Sequence, residues 1–283
     1  MTLVSERIGR FFHEDYRIEY TEYGAGENWV ILLHGQLMPR RMHQPLARKL
    51  AGNGAHVLTV DLLGHGRSDR PVDPLVYSMT AFGEQVVALM DEFDIDQAVI
   101  GGTSLGANVS LEVADNAPER VRGLILEMPV LDNGLEAGML AFGPLMFIAR
   151  FAPFSINLLR RTTKAVPRGV VPFWAGIVLD TLNQRPAALR AAVHGIFFGR
   201  IAPSSKRRQQ IGVPALVIGH PRDPIHQFAD AEMLAEELPA STFVKAKGIL
   251  EWRYRPLRLD DIAIGFVDEC YRAPAKGRRL QGT

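Results

Sequence analysis

Polar and apolar residues alternate along two segments near the start of the chain, residues 5–14 and 16–23, most cleanly in Arg17-Ile18-Glu19-Tyr20-Thr21-Glu22-Tyr23. A period of two predicts strands with one buried face. Further on the pattern changes. Trp29 to His34, His56 to Leu62, Ala98 to Ile100 and Val121 to Glu127 are nearly continuous apolar runs. Such runs predict strands covered on both sides. Ala215 to Gly219 and Ser241 to Lys245 read as two more. Between the runs, Arg41 to Ala51, Ala81 to Phe93 and Ala107 to Ala114 carry apolar positions at helical spacing. Strands alternating with helices predict an α/β fold with a mostly parallel central sheet and helices on both faces.

Residues 131–210 interrupt this alternation. They read as several helices broken at Pro144, Pro153, Pro167, Pro172 and Pro186, and they hold seven of the chain's 14 Phe together with Trp174. So many aromatic residues are expected to bury themselves. They can do so against one another, or as the underside of a helical lid over an apolar pocket. The domain reading is a core formed by residues 1–130 and 211–283, with residues 131–210 inserted as a helical lid, or cap. No internal repeat or low-complexity segment is present.

The 283 residues carry 32 Lys and Arg against 31 Asp and Glu. That balance gives no reason to expect nucleic acid as a partner. Local basic groups, Arg160-Arg161, Lys206-Arg207-Arg208 and Lys276-Gly277-Arg278-Arg279, read as solvated surface. One cysteine, Cys270, excludes an intramolecular disulfide. Glu6, Arg7 and Arg10 interrupt the first dozen residues, so no signal peptide is expected. No stretch of about 18 uninterrupted apolar residues predicts a membrane span. A cytoplasmic protein is the expectation. No His-x-x-x-His or cysteine-rich spacing suggests a metal, and no cofactor is implied.

The chemistry concentrates at Gly102-Thr103-Ser104-Leu105-Gly106. A strand enters this segment and a helix leaves it, which is the setting of a nucleophile elbow. Such a turn forces the serine toward positive φ and leaves room for nothing larger than glycine two residues either side. It also aims the amino end of the following helix at the reacting centre, where an oxyanion needs N–H groups. The competing reading, a phosphate-binding loop, lacks a Gly-Lys-Ser/Thr or Gly-x-Gly-x-x-Gly motif.

Four motifs in order resemble the α/β-hydrolase fold family over about residues 16–270. His34-Gly35-Gln36 is similar to the turn after the third strand, and Asp61 to Asp69 to the Asp-x-x-Gly-His-Gly-x-Ser-Asp segment after the fourth. Gly102 to Gly106 matches the elbow, and Arg222-Asp223-Pro224-Ile225 matches the place of the family's acid. The resemblance implies Ser104 as nucleophile, Asp223 as acid and the N–H groups of Gln36 and Leu105 as oxyanion hole. His34 and His65 fall at turn-supporting positions. An Asp nucleophile, which the dehalogenase and epoxide-hydrolase branches need, is absent from the elbow.

The departure concerns the base. The family keeps a histidine in the loop after the last strand, and here Ile249 occupies that slot within Lys245 to Arg253. Downstream of Asp223 the chain holds one histidine, His226. Three readings stay open: His226 acts as a displaced base, His220 or His194 serves instead, or the site is inactive. Glu251, read as exposed, is too weak a base for an alcohol at neutral pH. Glu127 is the alternative acid. The two functions carried forward are a cofactor-free serine hydrolase of apolar esters, thioesters or lactones, and a protein that binds an apolar ligand without turnover.

Overall fold

The computed structural model describes residues 4–131 and 134–272; the basic run Lys276 to Arg279 lies outside them. Eight strands, β1 (Glu6–His13), β2 (Tyr16–Tyr23), β3 (Asn28–Leu33), β4 (Ala55–Asp61), β5 (Ala98–Thr103), β6 (Val121–Glu127), β7 (Ala215–Gly219) and β8 (Ser241–Lys245), make one sheet in the order β1-β2-β4-β3-β5-β6-β7-β8. β2 runs antiparallel to β1 and β4, and every other neighbouring pair is parallel.

The continuous apolar runs explain why the sheet is covered on both sides. Ile31 and Leu33 of β3, Leu58 and Val60 of β4, and Leu124 and Leu126 of β6 point into one core, where α2 (Met79–Glu92), α3 (Leu105–Asn116) and α9 (Phe228–Glu237) pack. Their neighbours Val30, Leu32, Val57 and Ile125 point the other way, onto α1 (Gln44–Gly52) and α11 (Leu257–Arg272). Alternate residues of each strand therefore feed two separate cores. The two edge strands are the exceptions: β1 buries only Phe11, and β8 has no buried residue.

Between β6 and β7 lie α4 (Gly134–Phe151), α5 (Pro153–Ala165), α6 (Phe173–Thr181), α7 (Pro186–Phe197) and α8 (Ser205–Arg208); a short α10 (Glu251–Tyr254) follows β8. Two expectations need correction here. Pro144 does not break a helix, because α4 runs through it. Pro153 and Pro186 instead open α5 and α7, where a missing N–H removes no internal hydrogen bond. The seven Phe are also not uniformly buried. Phe142 and Phe197 pack 5.4 Å apart, and Phe173 packs edge-on to Trp174 at 5.1 Å. Phe147, Phe151, Phe154 and Phe198 are exposed. α4 and α5 can each press only one face onto the small core formed by Leu37, Ala149, Ile156, Leu189 and Val193.

An ionic hub fixes the loops above the sheet. Asp61, at the end of β4, accepts the backbone N–H of Arg40 at 2.6 Å and of Arg67 at 2.9 Å, and pairs with the Arg40 guanidinium. Arg40 also reaches Glu19 at 2.7 Å and Thr21 at 2.8 Å. Each buried charge in this group has partners, which offsets the cost of removing it from water.

At the elbow a Cβ on either glycine would overlap the Leu33 carbonyl oxygen, which belongs to the backbone of a central strand. Gly106→Ala is therefore expected to destabilise the protein by roughly 3 kcal/mol or more. Gly143 lies inside α4 with open space around the Cβ position, so Gly143→Ala is expected to stabilise by up to about 1 kcal/mol. Urea unfolding midpoints of the two variants check both signs.

Candidate active site

Ser104 sits between the last residue of β5 and the first of α3, with φ 56° and ψ −112°. A non-glycine residue in this region costs on the order of 1–3 kcal/mol. The surroundings hold it there. Its N–H donates to the Glu127 carbonyl of β6 at 2.8 Å, and its carbonyl accepts the Asn108 N–H of α3 at 3.1 Å. Leu105 opens α3, so its N–H has no acceptor within the helix. Gln36, in the turn after β3, lines the same cavity as Ser104 and Leu105.

Asp223 and His226 lie in a tight turn between β7 and α9. The three-residue spacing suffices because the turn wraps around the carboxylate. Asp223 Oδ1 accepts the N–H of Ile225 at 2.8 Å and of His226 at 3.0 Å. Its Oδ2 accepts the His226 Nδ1–H at 2.8 Å. With Nδ1 donating, a neutral ring offers Nε2 as an acceptor. That nitrogen stands 2.8 Å from Ser104 Oγ. Burial alone would raise the Asp223 pKa, but the hydrogen bond and charge of His226 and the two backbone donors bring it below the ordinary value. The carboxylate thus stays ionised beside the ring.

The other candidates lie elsewhere. His220, buried, places Nε2 3.1 Å from Glu127 Oε1. Glu127 also accepts from Arg253 at 2.6 Å and from Thr103 at 2.5 Å. Burial opposes its ionisation, yet Arg253 and His220 hold its pKa well below the usual carboxylate range. Glu127 therefore serves this network and not the His226 ring. His194 packs at a tilt against Phe198 with centroids 4.5 Å apart. His34 Nε2 accepts the Leu62 N–H at 3.0 Å, and His65 Nδ1 donates to the Leu63 carbonyl at 3.0 Å, so both support turns. Glu251 is not the free carboxylate expected from the sequence: its side chain is largely buried against Arg258 at 2.8 Å. Ile249 does not line the Ser104 cavity.

The cavity holds about 60 Å³ and is lined by Met79, Val130, Phe142, Ile196, Phe197 and Ile225, among others. Its walls are almost wholly apolar. Asn108 is the polar residue missed from the sequence: its amide donates to the Val130 and Ile201 carbonyls at 2.7 Å each and accepts the Val130 N–H at 3.1 Å. One asparagine thus ties the elbow helix to both ends of the inserted segment. Its place one helical turn beyond Ser104 was the only signal it left, and its partners are 22 and 93 positions away. Among the described residues no group of three His, Cys, Asp or Glu has the geometry to hold a metal ion.

Comparison with known proteins agrees with this architecture. A 3-oxoadipate enol-lactonase from Acinetobacter baylyi is 28% identical over 231 residues, covering 81% of this chain and 84% of its own. A putative non-heme haloperoxidase of Mycobacterium phage D29 is 24% identical over 270 residues, covering 90% of this chain and 93% of its own. The solved enol-lactonase of Burkholderia xenovorans superposes with a TM-score of 0.74 at 19% identity, over 92% of this chain and 100% of that one. The model of the alpha/beta hydrolase fold family matches residues 28–248. Sheet order, elbow and family match converge, and the chain belongs to the α/β-hydrolase fold family.

Proposed function

We propose that the protein is a cofactor-free serine hydrolase of apolar esters, thioesters or lactones, working through an acyl-enzyme on Ser104. The observation that carries this reading is the unbroken hydrogen-bonded chain from Asp223 through His226 to Ser104. An isolated serine hydroxyl is a poor nucleophile, and a base at hydrogen-bond distance is what activates it.

In this reading Ser104 Oγ attacks the substrate carbonyl carbon while its proton passes to His226 Nε2. The oxyanion so formed meets the N–H groups of Gln36 and Leu105. Each such donor lowers the barrier by about 3–4 kcal/mol in water-excluded sites. His226 then gives its proton to the departing alkoxide, thiolate or ring oxygen, leaving the acyl group on Ser104. Water then attacks the acyl carbon as His226 takes one of its protons; the bond from that carbon to Ser104 Oγ breaks, His226 returns the proton to Oγ, and the acid leaves with the free enzyme restored. Asp223 holds the ring in one tautomer and balances the imidazolium charge throughout. The small, apolar cavity supports a short acyl group and argues against charged substrates. The lactonase among the relatives lends weight to the ester and lactone end of this range. Binding without turnover, the second reading of the sequence, requires a serine without a base and gains no support from the position of His226.

Ser104→Ala is expected to lower kcat/KM for short-chain p-nitrophenyl esters by about 10³-fold or more, with an unchanged unfolding midpoint, since one half-buried hydroxyl contributes no core packing. Undiminished hydrolysis by the purified variant would place the nucleophile elsewhere. Asp223→Asn is expected to reduce kcat by up to about 10⁴-fold with little change in KM, because the ring loses its tautomer and the imidazolium its counter-charge. An unchanged rate would remove Asp223 from the machinery. Phe142→Ala, which opens the cavity wall, is expected to raise the hexanoate-to-acetate preference about tenfold. Steady-state kinetics on an acyl-chain series reads that shift, and a flat profile would move the acyl site away from Phe142.

A further inference from the structure

The exposed aromatic residues of α4 and α5 have no place in the chemistry above. Phe147, Phe151 and Phe154 are 64%, 67% and 75% exposed, and the rings of Phe147 and Phe151 touch at 4.7 Å between centroids. Leu140, at 78%, and Leu158, at 51%, extend the same surface. Exposed apolar area of this extent on one hairpin marks a contact surface. The two helices meet at 103°, and no single described helix is long and apolar enough to cross a membrane. The geometry suits a wedge lying in an interface, not a span.

Charge on the same segment identifies what the wedge meets. Residues 138–198 carry seven Arg and Lys and a single acidic residue, Asp180. Asp180 is already engaged by Arg41 and Arg168. Arg150 and Arg161 are exposed on the hairpin. On the flank of α5 a cavity of about 290 Å³ gathers Arg17, Arg67, Arg70, Arg160, Lys164 and Arg185 around one carboxylate, Asp69. Asp69 pairs with Arg17 at 3.3 Å, and among the described residues the other five form no ion pair. Arg160 Nε is buried without a hydrogen-bond partner. Five cations around one cavity without carboxylate partners favour an anion among them. An acidic protein surface would match the charge but leaves the protruding rings in water. A bilayer with anionic headgroups satisfies both, taking the rings below the headgroup level and a phosphate into the basic cavity.

We propose that the α4–α5 hairpin docks this protein on an anionic lipid surface, with Phe147, Phe151 and Phe154 inserted among the acyl chains and a headgroup phosphate held by Arg160, Lys164 and Arg185. α4 also carries Phe142 in the wall of the Ser104 cavity, so docking brings that wall to the bilayer surface. The surface does not depend on turnover.

Vesicle flotation of the full chain with Ser104→Ala separates binding from hydrolysis. Vesicles of phosphatidylcholine with about one-third phosphatidylglycerol are expected to retain the protein at least tenfold better than phosphatidylcholine alone. Raising salt from 0.1 to 1 M, which shortens the screening length from about 10 to about 3 Å, is expected to abolish that advantage. Replacing Phe147, Phe151 and Phe154 together by Ser, or Arg160 and Lys164 by Gln, is expected to reduce retention tenfold or more. Circular dichroism spectra matching the parent would show that the variants remain folded. Equal retention on neutral vesicles, binding of inorganic phosphate without vesicle retention, or a concentration-dependent dimer that the three Phe substitutions dissolve would each overturn the proposal.

Discussion

The carbonyl oxygen of Leu33 lies so close to the β5–α3 turn that neither Gly102 nor Gly106 can carry a Cβ. The placement of Ser104 follows from that contact. It seats the turn against a central strand and holds Ser104 at positive φ, and it brings the start of α3 beside the turn after β3. The strain at Ser104 is tolerated because its backbone is bonded on both sides, to Glu127 and to Asn108. The strands on either side, β5 and β6, are buried almost throughout, so the Ser104 hydroxyl stands at the edge of the packed core.

A second constraint acts on the facing loops. Asp61 binds the backbone of both Arg40 and Arg67, so one carboxylate joins the turn after β3 to the turn after β4. Gly66 is needed there because a side chain would collide with that same carboxylate, and its φ of 47° suits glycine. The loop that carries Gln36 is thereby tied to the sheet instead of floating above it. Arg70 extends the link outward: it bonds Gln184, whose amide donates to the Leu37 carbonyl at 3.1 Å. The basic flank of the inserted helices and the loop beside Ser104 thus share a hydrogen-bonded path.

Much of the core was legible in the sequence because its strands are buried on both faces, and a short, continuous apolar run is stable only where both faces are covered. The elbow was legible because its glycines answer to a steric need. The inserted segment was harder to read. α4 and α6 are apolar nearly all round, so their pattern does not say which face turns inward, and four of the segment's seven Phe turn outward. Pro144 misled because a proline can sit within a helix when the surrounding turns hold it. The network of Glu127, His220, Arg253 and Thr103 left no trace along the chain, since it joins residues up to 150 positions apart. Ile249 removed the histidine from its usual loop, and only the folded turn around Asp223 shows how a residue three positions away can reach Ser104.

Whether the Ser104 hydroxyl is activated decides the chemistry. Incubation with a fluorophosphonate probe followed by intact-mass and peptide analysis reads this directly. One adduct per chain, on Ser104, is the expected result, forming at least about 100-fold more slowly in folded His226→Gln protein. A folded chain that takes no adduct, or that labels at the same rate without His226, would contradict the assignment of Ser104 as an activated nucleophile.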